Sequence, residues 1–104
     1  MSGILSGIKV IDMGHVVAVP AACAMMGDWG AEVIKVEPLS GDMARRLKRM
    51  HVVDEQLVEV ENANRWYVNL LNRSKRGLAL DLKKEAGREV LNKLVRWADV
   101  FVSN

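Results

Sequence analysis

Between Asp12 and Glu37 the chain reads as strand end, turn, apolar helix, tight turn and second strand. That fits within about thirty residues, the length of one βαβ unit. A helix joining consecutive strands requires those strands to run parallel, with a right-handed crossover. The first strand is the β-branched run Ile8–Asp12, which lies between Gly7 and Gly14. Pro20 falls at the start of the helical stretch, where its missing N–H does no harm. From Ala21 to Met26 there is no polar face, so this helix is expected to be buried. Gly27 or Gly30 supplies a left-handed stop. Val33, Ile34 and Val36 form the second strand, and strands this apolar suit a sheet covered on both faces.

The rest of the chain repeats the alternation. Pro38–Gly41 is a turn, and residues 42–61 carry charge with little periodicity, which predicts a loop with one short helix. Asn64–Asn72 reads as a helix, with Trp66/Leu70 and Tyr67/Leu71 at i,i+4 spacing. Leu78, Leu80 and Leu82 alternate as a third strand. Lys84–Trp97 is a helix with Gly87, Val90, Leu91, Leu94, Val95 and Ala98 on one stripe. Asp99–Ser103 is a fourth strand. The order β-α-β-loop-α-β-α-β predicts an α/β fold, a Rossmann-like parallel sheet of about four strands, with residues 1–104 as a single domain.

Composition sets outer bounds. A formal charge of +2 over 104 residues gives no footing for nucleic-acid binding. The basic residues cluster, with Arg45, Arg46, Lys48, Arg49 and His51 in one group and Arg73, Lys75 and Arg76 in another. Each group is either a solvated face or a phosphate-binding rim. Cys23 is the only cysteine, which excludes an intramolecular disulfide, and its apolar surroundings predict a buried, inert thiol. The longest apolar stretch, Val16–Met26, is too short to span a bilayer, and no signal-peptide pattern opens the chain. A soluble cytoplasmic location without membrane association is the expectation, and no metal is expected.

In an open parallel sheet, ligands bind beyond the carboxyl ends of the strands. That rule selects Gly14, His15, Val16 and Val17 after strand one, Glu37 and Pro38 after strand two, Lys83 after strand three and Asn104 after strand four. Glu37 stands where an acid contacting an NAD ribose would stand, but the first turn carries Gly14 alone. Without G-x-G-x-x-G the backbone cannot approach a pyrophosphate closely, so NAD is not expected. Asp12, Glu37 and Asp81 read as structural strand-end acids, and no nucleophile–base pair is present.

Three runs carry a family resemblance: GDWGAEVIKVEPLSGDMAR (27–45), NRSKRGLALDLKKEAGRE (72–89) and ADVFVSN (98–104). In this order and separation, the stretch from Leu5 to Asn104 resembles the class III CoA-transferases, the group of formyl-CoA transferase, carnitine CoA-transferase and α-methylacyl-CoA racemase. The resemblance implies that this chain is the N-terminal CoA-binding part of a larger fold, with coenzyme A or an acyl-CoA as substrate. It implies a homo-oligomer, an interlocked dimer. His15, Val16, Leu80, Lys83 and Asn104 would help hold CoA, while Arg45, Arg73, Lys75 and Arg76 would meet its diphosphate or 3′-phosphate. The family's catalytic aspartate lies further along than Asn104, so no catalytic residue is expected here and the chain alone is expected to be inactive. The alternatives are a ligand-binding or oligomerising remnant, a split subunit needing a partner chain, and a fragment of an acyl-CoA racemase. Three positions depart from the family. Val19 replaces the glycine of an AGP helix start, Val17 replaces a glutamine that contacts the small acid, and Pro38 replaces an arginine near CoA.

Overall fold

The computed structural model describes residues 3–46, 50–59 and 66–104. Four parallel strands form the main sheet: β1 (Lys9–Met13), β2 (Glu32–Glu37), β5 (Lys75–Ala79) and β6 (Val100–Ser103). Their spatial order is β5-β2-β1-β6. The chain winds outward from β1 through β2 to β5, then crosses back to place β6 on the other side of β1. Helix α1 (Ala18–Asp28) makes the β1–β2 crossover and α3 (Glu85–Trp97) the β5–β6 crossover.

The two helices cover opposite faces. Val10 and Ile11 are consecutive in β1, so they point to opposite sides, and both have zero exposure. Val10 and Val33 pack with Cys23 of α1, and Met26 lies against that cluster. Ile11, Val36 and Leu80 pack on the other side, with Leu91, Leu94 and Trp97 of α3 against them. This is the doubly wound parallel α/β arrangement that the alternating pattern predicts.

The stop to α1 is built as glycine allows. Ala31 N–H donates to Met26 O and Gly30 N–H to Gly27 O, both at 3.0 Å, while Gly30 takes φ +103°. That is a Schellman ending with glycine in the left-handed position.

Two expectations are corrected. Residues 42–61 do not form a loop with one short helix alone. A 3₁₀ turn at Met43–Arg46 is followed by an antiparallel hairpin, β3 (Met50–Val53) and β4 (Gln56–Glu59). The hairpin turns at Asp54 and Glu55, both left-handed at φ 50° and 63°. A two-residue hairpin turn needs positive φ at both centres and is usually signalled by Asn-Gly or Asp-Gly; Asp-Glu hides it. The third strand is also displaced, running over Lys75–Ala79 rather than the leucine alternation. Leu78, Leu80 and Leu82 do all join the α3-side cluster, so the alternation reports the buried face and overruns the hydrogen-bonded span. The predicted helix near Asn64–Asn72 is α2 (Trp66–Leu71), with residues 64–65 outside the described set.

Candidate functional site

A cleft of about 510 Å³ opens at the carboxyl ends of β1, β2 and β5. Its walls come from Gly14 and His15 after β1, Glu37 at the end of β2 with Pro38 to Ser40 beyond it, Asp42, and Leu80 to Lys83 after β5.

The β1–α1 turn is fixed by its own bulk and by buried charge. A side chain on Gly14 would place its Cβ 2.3 Å from Val19 Cβ, so position 14 has no room for one. Val19 itself is an ordinary helical residue of α1. The left-handed residue is instead Val16, at φ 66°. A β-branched residue there is a steric outlier, costing on the order of 1–3 kcal/mol, and it persists only where its surroundings hold it. Here Lys35 Nζ donates to Gly14 O at 3.1 Å. Val16 N–H donates to Asp42 Oδ1 at 3.1 Å. Between them, His15 N–H donates to Asn104 Oδ1 at 2.9 Å, and Asn104 Nδ2 donates back to His15 O at 3.2 Å. The end of β6 is thereby stitched to the end of β1.

Behind this turn lies a buried ionic network. Asp12 on β1 and Lys35 on β2 face each other in the parallel register. Asp12, Lys35 and Asp42 are 0, 2 and 4 % exposed. Lys75 Nζ lies 2.6 Å from Asp12 Oδ2, and Lys35 Nζ lies 2.9 Å from Asp42 Oδ2. Charges this deep are tolerated only when paired and hydrogen-bonded. Lys75 also donates to the carbonyls of Pro20 and Leu71 and to Asn72 Oδ1, at 2.7, 2.9 and 3.0 Å. Burial pushes the Lys75 ammonium below its usual value, against the opposing hydrogen bond and charge of Asp12. Burial acts to raise the Asp42 carboxyl, but the N–H of Ala44, the Lys35 ammonium and the N–H of Val16 outweigh it and hold it low. Cys23, beside this network, is buried and its thiol is pushed up to about 11, chiefly by desolvation.

An outer layer closes the β2 side. Arg45 reaches back from the 3₁₀ turn to grip both oxygens of Glu37, with Nη2 to Oε1 at 2.6 Å and Nε to Oε2 at 2.9 Å. Burial alone would raise the Glu37 carboxyl, and the hydrogen bonds and charge of Arg45 lower it instead. On the β5 side, Asp81 Oδ1 accepts the Lys83 N–H at 3.0 Å, and Arg88 donates to the carbonyls of Leu82 and Lys83. Helix α3 sits so close to this loop that a Cβ on Gly87 would fall 2.1 Å from Asp81 O. Leu80 is 9 % exposed and walls the cleft, whereas Lys83 is exposed at its rim.

Of the residues singled out from sequence, the structure brings His15, Leu80 and Lys83 to the cleft, with Val16 next in the turn and Asn104 bonded to His15. The four basic candidates lie elsewhere or are engaged. Arg45 is occupied by Glu37. Arg73 pairs with Asp28 at 2.7 Å, at the far end of α1. Arg76 pairs with Glu32, at the start of β2. Lys75 is interior, with its side chain 2 % exposed. Sequence reasoning passed over Lys35 and Asp42. The available signal was a lysine inside the apolar strand EVIKVE, in register with an acid in β1.

A four-stranded doubly wound sheet with a crevice at its carboxyl edge places the chain in the parallel α/β class. The sequence profile described as CoA-transferase family III matches residues 5–104, and the chain belongs to that family. It is 39% identical to the (R)-2-hydroxy-4-methylpentanoate CoA-transferase of Clostridioides difficile, over 97% of this chain and 24% of that protein. It is 38% identical to the formyl-CoA:oxalate CoA-transferase of Afipia carboxidovorans, over 100% of this chain and 23% of that protein. Among solved structures, a CAIB/BAIF family protein from Brucella suis superposes with a TM-score of 0.81 at 32% identity, covering 100% of this chain and 26% of that one. The chain thus spans about a quarter of the length of these relatives.

Proposed function

We propose that this chain provides the CoA-binding portion of a family III CoA-transferase, and that the carboxylate chemistry belongs to the part of the family it does not span. The supporting observation is the cleft itself. His15, Leu80 and Lys83, separated by up to 68 positions in sequence, line one opening at the carboxyl edge of the sheet, and Asn104 is bonded to the His15 backbone. In this reading the Lys83 ammonium meets a phosphate of the ligand as a charge-assisted partner. Leu80 and Leu82, with Val36 and Pro38 opposite, give an apolar wall for the uncharged parts. The His15–Val16 backbone supplies a fixed edge. Transfer of CoA between carboxylic acids is then the activity of the larger protein, and this chain binds without turning over. Catalysis of CoA transfer by the purified 104-residue chain would contradict that division.

Calorimetric titration with CoA and acetyl-CoA tests the reading. Saturable binding is expected, weakened roughly tenfold by K83A, in line with loss of one charge-assisted contact. Absence of heat at millimolar ligand would remove it. Self-association is a second reading, favoured by β6, an edge strand of the sheet on which Phe101 is 48 % exposed. Sedimentation that returns a monomer at high concentration rejects it.

A further inference from the structure

We propose that Lys35 and Asp42 act as positioning residues for the cleft, holding the His15–Val16 turn in the left-handed shape that the ligand meets. This rests on the CoA-binding reading above and adds to it two residues that are not among the site residues named from the sequence.

The turn at the mouth of the cleft is strained. Among the described residues, the non-glycine positions at positive φ are Val16, Asp54, Glu55 and Ser74. Val16 is the β-branched one, and it alone of them lies in the turn at the mouth of the cleft. Valine does not take this conformation unaided. The forces that hold it are on both sides of His15. Lys35 fixes the carbonyl of Gly14 and Asp42 the N–H of Val16, while the two charged groups lie 2.9 Å apart and are almost fully buried. The clamp therefore cannot slacken by side-chain rotation into water. Its delivery is also specified. Gly41 takes φ +82°, Asp42 Oδ1 accepts the Ala44 N–H at 2.9 Å, and Asp42 N–H points at Glu37 Oε2. A group needed only to neutralise Lys35 would not require the further bond from its Oδ1 to the Val16 N–H.

If Asp42 acts through the strain at Val16, its removal matters less once that strain is relieved by glycine. The test is a double-mutant cycle on CoA affinity, comparing wild type, D42A, V16G and the D42A/V16G double variant. D42A is expected to weaken binding about tenfold in the wild-type background and by no more than about threefold in the V16G background. Equal losses in the two backgrounds, or no loss in either, overturn the proposal. Where D42A fails to fold, D42L, which also lacks an acceptor for the Val16 N–H, takes its place in the same cycle, and coupling between the sites is again the deciding quantity. A ligand-free reading separates this from failure of the CoA reading. The Val16 amide should exchange at least tenfold faster in D42A, or in D42L where D42A fails to fold, than in wild type, with the Ile11 amide unchanged. Unchanged exchange at Val16 overturns the clamp even where CoA binds, and accelerated exchange supports it even where CoA does not.

Discussion

The two faces of the central sheet are built on different terms. On the α1 side the core is closed and contains charge. Cys23 and Ala24 have zero exposure, and Asp12, Lys35 and Lys75 are buried among them. On the α3 side the core is wholly apolar and less closed. Ile11, Val36 and Leu80 are buried, yet α3 has no buried residue, and Val90 and Val95 are 38 and 47 % exposed. The less amphipathic helix is thus the better buried one. Amphipathicity reports that a helix has a solvent side, and depth of burial follows from how little of that side it has.

This contrast can be broken in order of expected effect. D12A leaves the Lys75 and Lys35 ammonium groups without their shared acid, so urea unfolding should show a loss of about 3–5 kcal/mol. A smaller loss would mean that the α1 side admits water. Next, A24L on the closed side should cost about 1–3 kcal/mol by overpacking. L94A on the open side should fall at or below the low end of the range for buried leucines, about 2 kcal/mol. A loss well above about 2 kcal/mol for L94A, or none for A24L, would show that the two faces have been assigned the wrong stiffness.

A third test uses pH. Asp42 and Glu37 have folded-state values lowered by their partners, so both stabilise the fold above the ordinary carboxylate value. That contribution is lost as the pH falls from about 4 through the lowered folded values. Lys75 has the opposite sign. Its lowered value makes the charged form a cost at neutral pH, relieved as the pH rises from the folded value towards the unfolded one. Thermal melts should therefore fall on the acid limb, and D42N should flatten that limb. A D42N acid limb as steep as that of wild type would remove Asp42 from the account. The smallest effect is kinetic. With its thiol near 11, Cys23 is thiolate in roughly one molecule per thousand at pH 8, and it is also buried. A disulfide reagent should modify it only as fast as the protein opens. Rapid labelling of the native protein would show the α1 side to be loose.

The parallel sheet was legible because its signals are local. Ile8–Asp12, the apolar run at Ala21–Met26 and the stripe on Lys84–Trp97 each declare an element without reference to another. Asn104 and Lys83 were legible as positions because strand ends locate the crevice whatever the ligand. The hairpin was not, since Asp54 and Glu55 reach left-handed geometry without the glycine that would announce it. The fates of Lys75 and Lys35 were hidden for a different reason. A lysine in sequence is either a surface cation or a buried partner, and only the register Asp12↔Lys35 and the reach of Lys75 across to Asp12 decide between them.

The bond between His15 and Asn104 also has a consequence for assembly order. It joins residues 89 positions apart, and the neighbouring Lys9–Asp99 contact spans 90. Closing a loop of that length costs on the order of 4 kcal/mol in chain entropy before any contact returns it. The β3–β4 turn and the β1–α1–β2 unit close over far shorter distances. The loop-closure cost predicts that strand β1 acquires β2 before β6, so that the Asn104 bond to the His15 turn forms after the β1–α1–β2 unit. Accordingly, V102A should speed unfolding while leaving the folding rate nearly unchanged; a matching slowdown in folding would place β6 in the nucleus instead.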